Sequence, residues 1–315
     1  MSDTVLVLTH VPKTAGTALW SVAKANYGAR NFVDLDVELV RGRPNLARGG
    51  ERTVRNEALE FFGTYYGSLA PARKSEVGCF LGHSAPMFIP AVTDRPVRAF
   101  CLLRDPVERV QSLYLHLLRR QKRSKSMWTH LPRFLEPMQR EGWTLKDVYR
   151  ELGSRSGESF PLRDSFWSLF NGQARHLLMG TVDPAAMSYN PDAEELDDYK
   201  RKVDRLLADS YVVGTQDRFS QSVRLFADTF GWRMKFLPRA NANPNPAGRD
   251  EIDDETRDLI RSHNRLDAEL HARYSERLRE LPYTSRVSDV RWKARQRAAK
   301  RVLSFSKKLR AGMGT

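Results

Sequence analysis

Apolar residues in this chain come in short blocks separated by amphipathic stretches. Residues 4–10 (TVLVLTH) form a run of leucine and β-branched residues that stops before a proline, which predicts a strand. Similar runs at 77–81, 97–103 and 210–214 predict three more buried strands. Between them, apolar positions fall three and four apart. That period predicts helices from the first loop to about Tyr27, from Pro106 to about Arg120, and over 145–152, 163–179, 193–208, 220–230 and 253–278. Residues 41–55 are polar and read as a surface excursion, and the Asn/Pro-rich segment 239–249 reads as a loop. No internal repeat is visible. Strands alternating with helices predict an α/β fold of three layers, a central parallel sheet flanked by helices.

The 315 residues are 41% hydrophobic and 29% charged, which suits a folded chain with a sizeable core rather than a disordered one. No apolar run approaches the roughly 18 residues needed to span a bilayer. The first strand is too short for a signal-peptide core and has no basic flank before it. There is no Asn-X-Ser/Thr sequon. These features predict a cytoplasmic protein. Cys79 and Cys101 sit inside strand-like runs and read as buried, reduced thiols. Two isolated cysteines do not make a four-ligand zinc site, so no metal is expected.

Net charge is +14, but its distribution weakens a nucleic-acid reading. Residues 286–310 hold ten lysines and arginines against one acid, Asp289, so nine of the fourteen charges lie there. The preceding body is only mildly basic, and no nucleic-acid partner is expected. The same segment has apolar residues at helical spacing (Val287, Val290, Ala294, Ala298, Val302, Phe305 and Leu309). Residues 282–315 therefore read as a basic amphipathic helical tail. It can rest on an anionic membrane surface, a polyanionic partner or the protein's own body.

Two segments carry the chemistry. After the first strand come Pro12, Lys13, Thr14, Ala15, Gly16, Thr17 and Ala18. A strand–loop–helix unit aims loop amides and a helix N-terminus at one spot and so favours anions. Lys13 adds a full charge and the two threonines add hydroxyls. This is not the G-x-x-x-x-G-K-[ST] loop, and the usual Mg²⁺-binding hydroxyl is missing. After the third strand in this reading, Asp105 is placed to cap a helix, Pro106 suits its first position, and Glu108 is placed to complete a capping box. Arg104 then stands at a strand's carboxyl end, where open α/β sheets bind ligands. With Ser112 eight residues on, it offers a fork and a hydroxyl for a phosphate dianion. From these residues three readings stay open: an anion-transferring enzyme, an atypical nucleotide-dependent kinase, and a non-catalytic protein that binds polyanions or membrane surfaces.

The run His10-Val11-Pro12-Lys13-Thr14-Ala15-Gly16-Thr17, with Leu103-Arg104-Asp105-Pro106-Val107-Glu108-Arg109-Val110-x-Ser112-x-Tyr114, resembles the 5′-phosphosulfate and 3′-phosphate motifs of sulfotransferases. These enzymes use 3′-phosphoadenosine-5′-phosphosulfate (PAPS). The likeness is to the carbohydrate branch that includes heparan sulfate 2-O-sulfotransferase and its bacterial relatives. It continues through Gly82-His83, the run from Asn171 to Arg175, the run from Val213 to Phe219 and the segment 264–274, covering about residues 5–278. Ala174 stands where the family often has Thr, and Asp217 where it often has Glu.

The resemblance implies a P-loop-nucleotide-binding-like sulfotransferase fold over residues 1–281. It also implies transfer of a sulfuryl group from PAPS to a hydroxyl of a carbohydrate or glycan acceptor, with adenosine 3′,5′-bisphosphate as product and no metal. It assigns Lys13 and residues 12–18 to the 5′-phosphosulfate, and Arg104 and Ser112 to the 3′-phosphate. His83 becomes the base that takes the acceptor proton. Glu60, before Phe61 and Phe62, is the rival base and a candidate acceptor contact; His10, beside the loop, is another. Asn171, Gln173 and Arg175 either line the acceptor cleft or fasten a helix by polar contacts. Arg239 and Arg249 are candidates for closing over the 3′-phosphate. Animal relatives in the Golgi carry a transmembrane anchor that this sequence lacks, which implies a bacterial, cytoplasmic enzyme, with the basic tail as its means of resting on the inner membrane surface.

Overall fold

The computed structural model describes residues 4–28, 31–43, 51–123, 142–153, 165–183, 186–232 and 252–281. Five strands form one sheet: β1 (Val5–Thr9), β2 (Phe32–Asp34), β3 (Cys79–Gly82), β4 (Val97–Leu103) and β5 (Tyr211–Thr215). Their order is β2-β3-β1-β4-β5 and every pairing is parallel. The four longer strands are nearly continuous apolar runs because helices cover both faces.

Twelve α-helices occur among the described residues. They are α1 (Gly16–Tyr27), α2 (Leu35–Gly42), α3 (Glu51–Ser68), α4 (Pro71–Glu76), α5 (Ala85–Phe88) and α6 (Pro106–Arg123) in the first part. The second part has α7 (Leu145–Gly153), α8 (Gly172–Leu178), α9 (Ala193–Ser210), α10 (Phe219–Phe230), α11 (Asp254–His263) and α12 (Arg265–Glu280).

The alternation of side chains along β4 separates the two faces. Ala99, Cys101 and Leu103 join a core with Phe62, Tyr66, Phe88, Val203 and Leu270, from α3, α5, α9 and α12. Phe100 and Leu102 join a second core with Leu19, Val22, Val223, Phe226 and Trp232, from α1, α10 and the turn after it. Each fully buried Phe or Leu contributes about 1.5–3 kcal/mol by leaving water. A third cluster, with Val110, Tyr149, Phe170 and Ile260, packs α6, α7 and α11 together. Cys79 and Cys101 are free and fully buried in β3 and β4, and burial pushes both thiols well up. No helix of the described residues is long and apolar enough to cross a membrane.

Several expectations need correction. The apolar runs do not predict the short edge strand β2 or helices α2 to α5, and within the 41–55 stretch read as a polar excursion, 41–42 belong to α2 and 51–55 to α3. Residues 163–179 are not one helix: a 3-10 turn (Ser165–Leu169) and α8 meet at Asn171, whose φ of 46° breaks the helical path. The long helix expected over 253–278 divides at Asn264. Both breaks face each other. Asn171 Oδ1 accepts the Leu266 and Asp267 N–H groups, while the Asp267 carboxylate accepts those of Gln173 and Ala174. Two helix starts thus satisfy one another's orphan donors, which a continuous helix would not leave free. Residues 239–249 and 282–315 lie outside the described residues, and with them Arg239, Arg249 and the basic tail.

Candidate active site

The site follows from strand order. After β1 the chain moves to β2 on one side of the sheet; after β4 it moves to β5 on the other. Adjacent parallel strands whose connections diverge leave a crevice at their carboxyl ends. Residues 10–18 follow β1 and Arg104 follows β4, so both flank that crevice. The Arg104 guanidinium reaches across, its Nη1 donating to the Lys13 carbonyl at 3.2 Å.

The loop has an unusual backbone. Lys13 and Ala15 adopt φ of 68° and 67°, left-handed values that cost an L-residue about 1–3 kcal/mol each. Ala15 caps α1 without a side-chain bond, and the first helical bonds run from Ala18 and Leu19 N–H to the Ala15 carbonyl. The N–H groups of Gly16 and Thr17 are therefore left outside the helical ladder, as donors for an anion. Thr17 is exposed on the first turn. The Thr14 hydroxyl is spent inside the loop, donating to the Val11 carbonyl at 2.9 Å, and the residue is buried. Pro12 and Lys13 are half-buried and Ala18 is buried behind the turn.

Gly16 is where the first histidine sits. A Cβ there would meet His10 Cδ2 at 1.8 Å, so the imidazole rests directly on the glycine. His10 in turn stacks on His83, with ring centroids 4.0 Å apart and planes within 20°. His83 Nδ1 lies 2.7 Å from the His10 carbonyl. A carbonyl only accepts, so Nδ1 carries the hydrogen and Nε2 of the neutral ring carries the lone pair. His83 is exposed, which leaves that lone pair open to a ligand.

Two residues the sequence reading passed over complete this cluster. Asp36, in the first turn of α2, accepts the His83 N–H at 2.8 Å, the Ser84 N–H at 2.9 Å and the Ser84 hydroxyl at 2.6 Å. His176, buried on α8, presents its ring edge-on to His83 at 6.3 Å. Its Nε2 has no hydrogen-bond partner among the described residues. Burial, reinforced by the neighbouring His83, brings His10 down to about 3 and His176 well below the usual histidine value. Asp36 opposes the shift at His10 and Lys13 adds to it. Both rings are neutral at physiological pH. For Asp36, a strand–Asp-X-Asp–helix signal was available, with Asp34 accepting the N–H groups of Asp36 and Val37 as the helix cap. Its bond to His83 spans 47 residues and had no local signal.

At the second segment, Asp105 Oδ1 accepts the Glu108 N–H at 3.0 Å, as a cap should. The capping box is not completed. The Glu108 carboxylate instead takes Arg104 Nε and Nη2 at 3.2 and 3.0 Å, because the guanidinium is a stronger partner than a neutral amide. Ser112 is half-buried on α6.

The chain matches no family model and no curated protein. Asn171, Gln173 and Arg175 are fasteners: all three are buried and bonded to backbone. Gln173 holds the Arg104 N–H and carbonyl, and Arg175 donates to the Phe170, Met187 and Ser188 carbonyls. Gly172 leaves room for the buried Arg109, whose Nη2 would lie 2.6 Å from a Cβ there. Glu60 is exposed on α3 and pairs with Arg43 at 3.4 Å; the bonds that gather Lys13, Arg104, His10 and His83 do not include it. No group of three metal-ligating side chains occurs among the described residues.

Proposed function

We propose that this chain is a sulfotransferase that moves a sulfuryl group from PAPS to a hydroxyl of a carbohydrate or glycan-bearing acceptor, on a P-loop-nucleotide-binding-like sulfotransferase fold. The observation that carries the reading is the contact between Arg104 and the Lys13 loop across adjacent strands β4 and β1, with His83 beside it. Two cationic side chains and unladdered helix amides at one crevice suit a ligand with two separate anionic groups. The carbohydrate acceptor rests on the motif resemblance alone.

The donor set fits the nucleotide. Lys13 with the Gly16 and Thr17 amides would hold the 5′-phosphosulfate, and Arg104 with Ser112 the 3′-phosphate. When bound, PAPS supplies an activated sulfuryl group on a phosphate leaving group, and transfer is in line, as for phosphoryl groups. Lys13 and the loop amides neutralise charge at the leaving oxygen; losing one such donor commonly costs about 10²- to 10³-fold in turnover. Arg104 is remote from the exchange and orients. His83 Nε2 takes the acceptor hydroxyl proton, with Nδ1–H anchored on the His10 carbonyl and Asp36 holding its backbone.

Calorimetric titration with adenosine 3′,5′-bisphosphate, with 5′-AMP as control and Arg104→Ala alongside, tests the reading. Metal-independent binding that needs the 3′-phosphate and collapses in the variant is expected. Equal affinity for the two nucleotides overturns it. The basic segment 286–310 extends the proposal to an anionic membrane surface: phosphatidylglycerol vesicles should retain the full chain and release one ending at Leu281.

A further inference from the structure

Arg104 is already occupied. Its Nε and Nη2 both donate to one oxygen of Glu108, and its Nη1 to the Lys13 carbonyl. Three of the five guanidinium hydrogens are engaged this way, including the side-on pair best suited to a bidentate anion. The Arg104 side chain is 12% exposed, so these partners stand in for water. Glu108 is fixed at the start of α6 by the Asp105 cap on its own N–H, and from there it reaches back one turn. Its side chain is 49% exposed. A carboxylate this wet can swing into solvent at little cost, because half-exposed ion pairs are weak.

We infer that Glu108 is an internal competitor for the 3′-phosphate, and so an affinity-determining residue. The inference rests on the proposed function. In the free protein the Glu108 carboxylate occupies the Arg104 fork and cancels its charge. A phosphate dianion carries more charge than the carboxylate and displaces it; a weaker anion does not. Glu108 thereby lowers the affinity of the crevice for the nucleotide. A variant that keeps an acceptor oxygen for Arg104 but removes the charge should bind that nucleotide more tightly.

The test is calorimetry with adenosine 3′,5′-bisphosphate and 5′-AMP on the full chain, wild type, Glu108→Gln, Arg104→Ala and the double variant. Glu108→Gln should tighten the bisphosphate about three- to tenfold, as removal of one nearby charge in a wet site would. It should leave 5′-AMP within about twofold and have no effect in the Arg104→Ala background. Raising salt should shrink the gain. Unchanged or weaker bisphosphate binding by Glu108→Gln, with Glu108→Ala in agreement and thermal unfolding as the fold control, overturns the inference and makes Glu108 a support for Arg104. If the wild type does not distinguish the two nucleotides, the proposed function falls and the inference falls with it.

Discussion

Gln173 grips both backbone polar groups of Arg104, its Oε1 accepting the N–H at 2.9 Å and its Nε2 donating to the carbonyl at 2.8 Å. Gln173 is in turn held by Asp267, which accepts its backbone N–H at 2.9 Å. Helix α12 thus reaches the carboxyl end of β4 through one amide side chain. In the proposed function, where Arg104 orients a phosphate, a fixed backbone is what this side chain would supply.

Replacing Gln173 by Leu keeps the bulk and strands the two Arg104 backbone groups. Each buried group left without a partner costs roughly 1–3 kcal/mol. Urea unfolding of Gln173→Leu should therefore show a clear loss of stability, together with weaker binding of adenosine 3′,5′-bisphosphate. A variant as stable as wild type, with the same affinity, would show that Arg104 does not depend on this grip.

Gly16→Ala would place a methyl group 1.8 Å from the present position of His10 Cδ2. The ring must leave, and its stack on His83 must open. The expected outcome is a folded but destabilised protein, by about 1–3 kcal/mol, the usual range for overpacking. The ring signals of His10 and His83 should shift together in NMR spectra. If only the Gly16 neighbourhood moves and the His83 ring does not, the two histidines are not coupled as the geometry requires.

Stability should depend on pH through the buried histidines. His10 falls from 6.5 to about 3 on folding, and His176 also falls. Between those values the unfolded chain binds protons that the native chain refuses, so stability rises with pH and is complete above about 6.5. Each such histidine contributes a slope of about 1.4 kcal/mol per pH unit within its window. Urea midpoints measured from pH 4 to 7 should rise, and His176→Phe should flatten the curve. An unchanged slope in that variant would mean that His176 is protonated in the native state.

The neutral His83 ring should be the Nδ1–H tautomer, because its neighbour there is the His10 carbonyl. Long-range nitrogen–proton spectra report this directly, with His83→Asn identifying the signals. A predominant Nε2–H form would remove His83 from the role of base. Asp36→Ala releases the His83 and Ser84 N–H groups and should mix the tautomers. Once an acceptor is in hand, His83→Asn should lower turnover about 10²- to 10⁴-fold. Affinity for adenosine 3′,5′-bisphosphate should change little.

Four strands were legible because each is a local apolar run long enough to be buried on both sides, as Val97–Leu103 shows. Strand β2 is three residues at the sheet edge and carries no such run. The loop after β1 and the capped start of α6 were legible as well: loop, capping aspartate and N-terminal proline act within a few residues of one another. The helix breaks at Asn171 and Asn264 were not. Hydrophobic period continues through both, and the bonds that reward the breaks join residues more than 90 apart.

Local sequence accounts for the α/β alternation, the strand-end placement of Lys13, His83 and Arg104, and the cap at Asp105. These depend on burial and on hydrogen bonds within one or two turns of chain. Packing between distant segments sets the contact of Arg104 with the Lys13 loop, brings Asp36 and His176 to His83, and fastens Gln173 to the Arg104 backbone. It also chose Arg104, not the backbone, as the partner of Glu108. Those outcomes turn on which buried or charged groups meet when distant segments pack, and a polar side chain takes the strongest partner the packing brings within reach.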